Sequence, residues 1–500
     1  INRHPPLPLY PLYIARGEMV STQMSDTMRW SLLCFWTYAL FLIVSAYQSA
    51  PSSEPIVGAA PRVIFNRQLL DNDLVGDYGV RALDVNNDGA PDAVAIAWGS
   101  GQLVWYENGG RGVAWPRHLV ADLPYVVWFD AAGDLNGDGL GPDLVVAYNF
   151  TIPGTSGAAP AGGVAGGTAG WLEHPVDVTQ PWKLHPIADV PALHRLLYSH
   201  TLQAIVCAPL FGAHSAPPDY LNEPSAFVAL RRPANLATQA DAAWTSVSLD
   251  LQPPLHAVHA FFHFLPESLE HQNQSSSHRQ SGSSVEQLLV GAQEGLFTLA
   301  IDETDFTTTL TLLSTGVPLK PYSPYSGVSG VDVCLLNQGS SDSSANGLAA
   351  YMPTVGPWEG VNQLTPPMIQ VNYPTRNRSS VLGLLEPPLR LNTLTTQGPQ
   401  GHYLVCGDFT GDDQDDFLVG MRGPFKTIQL YSPTDPSAST FRWWNLNLDA
   451  DQGASGLAVA DFDGDGKLDF VATGFPGFGI DQYSPQADKF VAVYWNDRVN

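Results

Sequence analysis

The sequence predicts an all-β fold: a seven-bladed β-propeller of four-stranded blades, closed by an N-terminal strand. Three observations predict it. An Asp-rich loop recurs along the chain and each time runs into an apolar, strand-like segment. A unit of roughly four strands recurs every ~50–65 residues, a spacing typical of propeller blades. The chain also contains 46 Gly and 41 Pro, a composition that favours turns and short strands over helices.

The Asp-rich loop occurs four times, with short oxygen-bearing side chains at relative positions 1, 3, 5 and 9. The four sets are Asp84, Asn86, Asp88 and Asp92; Asp134, Asn136, Asp138 and Asp143; Asp408, Thr410, Asp412 and Asp416; and Asp461, Asp463, Asp465 and Asp469. Oxygen ligands at this spacing can converge on one hard cation, so we expect Ca²⁺ or Mg²⁺ in these loops. The alternative is a hairpin of Asx turns that holds no ion.

Two of the four loops depart from this pattern. The second has one extra residue before Asp143, and the third has Thr410 at position 3 and lacks the Gly at position 6. That Gly permits the tight turn of the other loops. We therefore expect the second and third loops to bind a cation more weakly than the first and fourth.

Each unit continues with further strand-like segments after its loop. Seven units are expected to begin near residues 76, 125, 196, 255, 327, 400 and 453. The last unit ends at 490–495 without an outer strand, and residues 62–70 have the pattern to supply one. A closing strand of this kind leaves the ring without an open edge.

The chain divides into an upstream segment with a secretory signal in residues 1–50 and the propeller in residues 60–500. Arg29 precedes an uncharged apolar run at 30–46 that ends in small residues, as signal peptides do. A membrane anchor is the alternative, although the run is short for a span. We expect a secreted protein with no membrane span in the mature chain.

The expected secretion bears on the glycosylation acceptors and on the cysteines. Three N-x-S/T acceptors are then candidates for glycosylation, namely Asn149, Asn273 and Asn377. The sequence contains no CxxC pair, so a thiolate zinc site is not expected. Cys34 lies in the predicted signal, and we expect buried free thiols at Cys207, Cys334 and Cys406.

Charge and missing motifs exclude several function classes. The formal net charge is −25 at pH 7, so the chain lacks the basic surface that nucleic acids require. The sequence contains no GxSxG, GxxxxGK[ST] or HExxH motif, so serine hydrolase, P-loop NTPase and zincin activities lack support. The oligomeric state is not determined by these observations.

The repeated loops resemble the FG-GAP/VCBS calcium repeats of integrin-like propellers. The order of segments is similar, more specifically, to the propeller domain of fungal aldos-2-ulose dehydratase (1,5-anhydrofructose dehydratase). The similar stretches are 101–108, 199–212, 255–262, 289–297, 357–364, 401–413 and 490–496. The resemblance implies a seven-bladed propeller with metal ions that eliminates water from a keto-sugar. Its partner would be a small carbohydrate substrate. Glu359 stands where relatives tend to have His.

Four histidines lie at or just before the predicted first strands of different blades: His200, His256, His259 and His402. In a propeller these strands line the central channel, and the loops that enter them form a funnel. Glu359 follows an apolar run and is placed to join the histidines. We predict a catalytic set of His256, His259, Glu359 and His402, and a funnel metal held by His200, His256 and His259.

Neutral imidazoles and a carboxylate suit Zn²⁺, which as a Lewis acid would hold the 2-keto oxygen of a sugar. A histidine would then remove the α-proton. Two non-catalytic hypotheses stay open beside this one. The first is an FG-GAP-like propeller that binds glycans or proteins on its loop face. The second is a degenerate relative in which the Asp-rich loops only stabilise the fold.

Overall fold

The computed structural model of the protein describes residues 63–74, 77–152, 164–216, 220–263, 285–315, 327–335, 347–354, 368–372, 389–390, 400–412, 415–422, 427–433, 443–449, 454–474 and 490–498. They all belong to one compact unit, Ala60–Asn500. The predicted upstream segment and signal, Glu359 and the acceptors Asn273 and Asn377 lie outside these residues. Within the described part of the chain, no helix is long and apolar enough to cross a membrane.

The strands form antiparallel sheets, and consecutive strands pair within each sheet. β1 (Phe65–Asp71) comes first in the chain and pairs in the last sheet. The first sheet contains β2 (Asp77–Leu83), β3 (Asp92–Ala97), β4 (Gln102–Tyr106) and β5 (Arg117–Asp122). The second contains β6 (Trp128–Gly133), β7 (Asp143–Thr151), β8 (Gly166–Glu173) and β9 (Lys183–Asp189). The third contains β10 (Leu193–Ser199), β11 (Ala204–Pro209), β12 (Val228–Arg231) and β13 (Thr245–Ser248).

The second half of the propeller repeats this arrangement. The fourth sheet contains β14 (Ala260–His263), β15 (Val285–Ala292), β16 (Gly295–Asp302) and β17 (Thr308–Thr315). The fifth contains β18 (Gly327–Leu335), β19 (Gly347–Thr354), β20 (Met368–Asn372) and β21 (Leu389–Arg390). The sixth contains β22 (Gln400–Gly407), β23 (Asp416–Arg422), β24 (Thr427–Pro433) and β25 (Trp443–Asp449). The last contains β26 (Gly456–Ala460), β27 (Asp469–Thr473) and β28 (Val491–Asn496), and its strand order is β1-β28-β27-β26.

The prediction of seven complete four-stranded blades is corrected: seven sheets are described, and six of them have four strands of ordinary length. In the fifth sheet, the outer strand β21 is two residues long and holds β20 through the pairs Met368–Arg390 and Ile369–Leu389. Strands usually have ~3–10 residues, so among the described residues this sheet has no full outer strand. The predicted closing segment 62–70 is also corrected. The N-terminal strand that pairs with β28 is Phe65–Asp71, and its register shifts between Leu69 and Asp71.

The first strands of neighbouring sheets contact one another around the centre of the propeller. Each Asp-rich loop follows such a first strand, so these loops lie on the face where the first strands end. We call this side the Asp-loop face. The opposite side, where the first strands begin, is the entry face.

The core lies between the sheets. Every residue of β3, β11, β27 and β28 is buried, as expected for strands whose two faces both pack against neighbouring blades. Trp105, Trp171 and Trp495 are fully buried. Continuous apolar runs such as DAVAIA in β3 therefore mark strands inside the propeller rather than at its surface.

One cysteine expectation is corrected. Cys207 is a buried free thiol, as predicted, and burial raises its pKa above the usual range. Cys406 is instead disulfide-bonded. The apolar segment around Cys406 resembles that around Cys207, so local sequence could not distinguish the two states.

A repeated hydrogen bond connects each of four Asp-rich loops to the next blade. The carbonyl at loop position 2 accepts a hydrogen bond from a side chain at or just after the end of the third strand of the following blade. The four pairs are His174 Nε2 to Val85 at 2.9 Å, Arg232 Nε to Leu135 at 2.8 Å, Asn496 Nδ2 to Phe409 at 2.9 Å, and Asn108 Nδ2 to Phe462 at 2.8 Å. We call these bonds the interblade latches.

The latches predict a specific loss of stability. Asn496 is buried and also donates to the Leu468 carbonyl at 3.1 Å, so Asn496→Ala removes the amide donor from two backbone carbonyls. We expect the free energy of unfolding to fall by about 1–3 kcal/mol. Urea denaturation is the measurement. Asn235→Ala is the control, because Asn235 is exposed and bonds to Gln239 within its own turn. Equal losses in both variants would show that the latch has no special role.

Candidate functional site

The Asp-rich loops share one arrangement of hydrogen bonds. In the first loop, Asp84 accepts from the backbone N–H groups of Asp88 at 3.1 Å and Gly89 at 3.0 Å. In the fourth, Asp461 accepts from Asp465 at 3.0 Å and Gly466 at 2.9 Å. The position-6 glycines have positive φ, 91° at Gly89 and 80° at Gly466, which explains why Gly occurs there. The expected Asx turns are therefore present.

The aspartate at position 9 has a different environment from the others, because it is the first residue of a buried strand. Asp92 is fully buried, and its two oxygens accept from the N–H groups of Val85 at 2.9 Å and Asn108 at 2.7 Å. Val85 belongs to the loop, and Asn108 follows the third strand. Asp469 repeats the arrangement with Phe462 at 3.1 Å and Asn496 at 2.8 Å. The position-9 carboxylate therefore fastens its loop to the third strand of the same blade.

Burial raises the pKa of these position-9 carboxyls despite their backbone hydrogen bonds. The pKa values are about 7 for Asp92, about 6 for Asp143, about 8 for Asp416 and about 7 for Asp469. Desolvation is the largest cause in each case, and neighbouring loop carboxylates add to it. A cation in the loop would favour the ionised form and oppose this shift.

In the described residues, three carboxylates come together only in the fourth loop. Asp461, Asp463 and Asp469 each offer one oxygen, and these oxygens lie within 4.8 Å of one another. Burial is the largest cause of the raised pKa of Asp463, and Asp465 contributes next. Asp465, also predicted as a ligand, forms an ion pair with Lys467 at 2.8 Å instead. The donor set of three carboxylates suits a hard divalent cation.

The other three loops do not gather such a group among the described residues. In the first and second loops, the position-3 amide donates to the position-5 carboxylate: Asn86 to Asp88 and Asn136 to Asp138, both at 3.0 Å. In the third loop, position 3 is Thr410, whose neutral hydroxyl cannot supply the carboxylate that Asp463 supplies in the fourth loop. The geometry therefore distinguishes the fourth loop from the other three. The predicted ranking of cation affinities, with the first and fourth loops above the second and third, stays a prediction.

The structure does not bring the predicted histidines to one point. His200 follows the last residue of β10 and lies beside Gly133, at the Asp-loop face. His194 lies near the start of β10, so a rise of ~3.3 Å per residue separates it from His200 by about 20 Å. The His259 ring lies 6.1 Å from the His194 ring and is therefore at the entry face. His200 and His259 are too far apart to hold one metal ion together.

Three predicted site residues remain: His256, which is at the entry face, and His402 and Glu359, whose side chains are outside the described part of the structure. His256 has its own partner, because Nδ1 lies 2.7 Å from Glu294 Oε1 and its N–H donates to Oε2 at 3.0 Å. His402 is the third residue of β22, and the structure describes its backbone only. Glu359 lies outside the described residues.

Sequence reasoning missed a second cluster at the entry face. Tyr78 Oη lies 3.3 Å from His194 Nε2, and Arg195 packs its guanidinium 4.0 Å from the centre of the Trp128 ring. His194 and Arg195 are the second and third residues of β10. Their only sequence signal is a polar pair in an otherwise apolar strand, which resembles an ordinary strand end.

The raised carboxyl pKa values predict how stability depends on pH. In chelator, the folded protein keeps protons on these carboxyls up to pH ~7, whereas the unfolded chain releases them near pH 4. The free energy of unfolding should therefore fall as pH rises from 4 to 8. Asp92→Asn should make this fall shallower, by up to about 1.4 kcal/mol per pH unit for one proton.

Urea denaturation at pH 5, 6, 7 and 8 in EDTA measures this slope. Asp177→Asn is the control, because it removes a carboxylate from the surface outside every Asp-rich loop. An Asp92→Asn slope equal to that of the wild type would contradict the assignment of the titration to the position-9 carboxyls.

Comparisons with known proteins agree with the repeat assignment. Residues 84–146 match an FG-GAP-like repeat and residues 453–494 match an FG-GAP repeat. No curated protein matches the sequence. Among solved structures, the chain is similar to the RRP9 WD40 repeats, with 8% identity, a TM-score of 0.46, and coverage of 86% of this chain and 97% of that chain.

Two further solved structures are similar over most of their length. BBS1N in complex with ARL6DN has 10% identity and a TM-score of 0.42, with coverage of 88% of this chain and 98% of that chain. A putative 6-phosphogluconolactonase from Bacteroides uniformis has 8% identity and a TM-score of 0.38, with coverage of 85% and 96%. The repeat matches and the sheet topology together make this chain a β-propeller that carries FG-GAP repeats.

Proposed function

We propose that this chain is a secreted, non-catalytic propeller whose Asp-rich loops bind Ca²⁺ and whose loop face binds glycans or proteins. One observation carries the proposal. Asp461, Asp463 and Asp469 converge to within 4.8 Å in a loop that belongs to an FG-GAP repeat. Three like charges at this distance repel one another, and a divalent cation removes that repulsion.

The choice of Ca²⁺ over Mg²⁺ follows from the loop. Ca²⁺ accepts six to eight oxygen ligands in flexible geometry, whereas Mg²⁺ demands a near-ideal octahedron and keeps much of its water. Backbone hydrogen bonds already engage oxygens of Asp461 and Asp469, so this loop offers an irregular set of acceptors. Such a set favours the larger and more tolerant ion.

The predicted secretion of the chain is consistent with the same proposal. Extracellular modules bind Ca²⁺ with dissociation constants of ~10⁻⁴–10⁻³ M, and the apolar run at 30–46 has the pattern of a signal peptide. The disulfide bond of Cys406 is typical of an oxidising compartment. The separation of His200 from His259 argues against the funnel metal and so favours a binding module over an enzyme.

A second function, a keto-sugar hydro-lyase of the aldos-2-ulose dehydratase type, is favoured by one observation. His259 lies near His194 and Tyr78 at the entry face, which places two imidazoles and a phenol at one end of the channel. Groups of this kind serve as general acids and bases. This activity would use the entry face and not the Asp-rich loops.

Calcium titration of the chelated protein tests the first function. We expect Ca²⁺ to raise the Tm in a saturable way, with heat of binding seen by calorimetry, and Asp463→Asn to weaken the binding about tenfold or more. Asp177→Asn should leave it unchanged, since that carboxylate lies outside the loops. Absence of saturable binding at 10 mM Ca²⁺, or an equal loss in both variants, would contradict the proposal.

Incubation with 1,5-anhydrofructose tests the second function. An enzyme should release water from this sugar and produce a conjugated carbonyl that absorbs in the ultraviolet. We expect His259→Ala to abolish the absorbance change and His118→Ala, a substitution on the outer strand β5, to retain it. If the absorbance does not change with the wild-type protein loaded with Ca²⁺ or Zn²⁺, the second function is contradicted and the binding module is the function that remains.

A further inference from the structure

The entry face contains a buried cation that has no acidic partner among the described residues. Arg195 is 4% exposed. Its Nη1 donates to the His194 carbonyl at 3.1 Å and lies 3.2 Å from His194 Nε2, and its Nη2 reaches Tyr78 Oη at 3.5 Å. The buried Nε has no hydrogen-bond partner. Among the described residues, no carboxylate forms an ion pair with this guanidinium.

Groups from four blades meet around Arg195. Tyr78 belongs to β2, Trp128 to β6, His194 and Arg195 to β10, and His259 directly precedes β14. The sheets of β2 and β10 are separated by the sheet of β6, so the contact between Tyr78 and His194 joins the first strands of two blades that are not neighbours. Arg195 is therefore at the entry end of the central channel.

Arg81 provides a comparison within the same cluster. Its guanidinium also packs on Trp128, at 5.1 Å from the ring centre, but it forms an ion pair with Asp130 at 3.3 Å. Two cations thus lie against one indole, and only one of them is neutralised by a described carboxylate. The cation–π contact offsets part of the desolvation cost of Arg195, but a buried charge ordinarily also needs an ionic partner.

The donors of Arg195 indicate the shape of a missing partner. Nη1 is occupied by His194. Within the described part of the chain, Nε has no hydrogen-bond partner and Nη2 has only the long contact with Tyr78. The N–H groups of Nε and Nη2 point in parallel along one edge of the guanidinium. Two parallel donors match two coplanar oxygens of a carboxylate in a bidentate pair.

We propose that the edge formed by Nε and Nη2 of Arg195 binds a small carboxylate of the size of formate or acetate. The Tyr78 hydroxyl lies next to Nη2 and is placed to share the same oxygen. A larger ligand is disfavoured because Arg195, Tyr78 and Trp128 are all buried. The site is on the opposite face from the Asp-rich loops, so its occupancy does not depend on cation binding there.

Thermal unfolding of the full chain in sodium formate tests this site. We expect formate and acetate to raise the Tm saturably above that in sodium chloride of equal ionic strength. Arg195→Gln should lower the affinity for formate about tenfold or more, since it removes the charge and the parallel donors. Arg81→Gln is the matched control, because Arg81 contacts the same indole but already has Asp130 as its partner. It should retain the response.

Several outcomes would overturn the proposal: an equal response in Arg195→Gln, a loss in Arg81→Gln as large as in Arg195→Gln, or an equal saturable rise with chloride. If Arg195→Gln does not fold, the wild-type protein decides the question. The signal of ¹³C-formate should broaden in its presence and sharpen again on addition of unlabelled acetate. A signal that stays narrow at high protein concentration would overturn the site.

Discussion

The architecture depends on a buried carboxylate at position 9 of each Asp-rich loop. Asp92 accepts from one N–H of its own loop and one N–H beyond the third strand of its own blade. The residue that supplies this second N–H, Asn108, extends its side chain to the loop of the preceding blade. One acidic side chain therefore fixes the loop, the end of the third strand and, through Asn108, the neighbouring blade. Asp469 and Asn496 repeat the same chain of contacts.

This construction explains why an acidic loop can be structural and cation-binding at once. The position-9 carboxyl holds backbone N–H groups and is buried beside the more exposed carboxylates of its own loop, which raises its pKa and makes its ionised state costly without a counter-charge. A divalent cation lowers that cost without replacing the backbone hydrogen bonds. The fourth loop has the most suitable carboxylates for a cation, because it has Asp463 at position 3, where the first and second loops have an amide.

Local patterns in the sequence predicted the strands well and the long-range contacts poorly. First strands were expected near residues 327 and 400, and the observed strands begin at Gly327 and Gln400. The predicted number of complete blades is not reached among the described residues because β21 is only two residues long there, a length that composition does not reveal. The histidines were grouped by their position near first strands, yet that pattern does not tell which end of the strand each one occupies. The pair His194–Arg195 was missed because its partners come from other blades.

The two faces of the propeller carry opposite kinds of buried charge. The position-9 carboxyls Asp92, Asp143, Asp416 and Asp469 are buried at the Asp-loop face, and the guanidinium of Arg195 is buried at the entry face. The first strands connect the two, since β2 contains Tyr78 near its start and leads into the first Asp-rich loop at its end. A cation held by a loop therefore acts on the channel only through the position of a strand. Any chemistry or ligand binding at the entry face must rest on the channel residues themselves, with the loops as the scaffold that holds them in register.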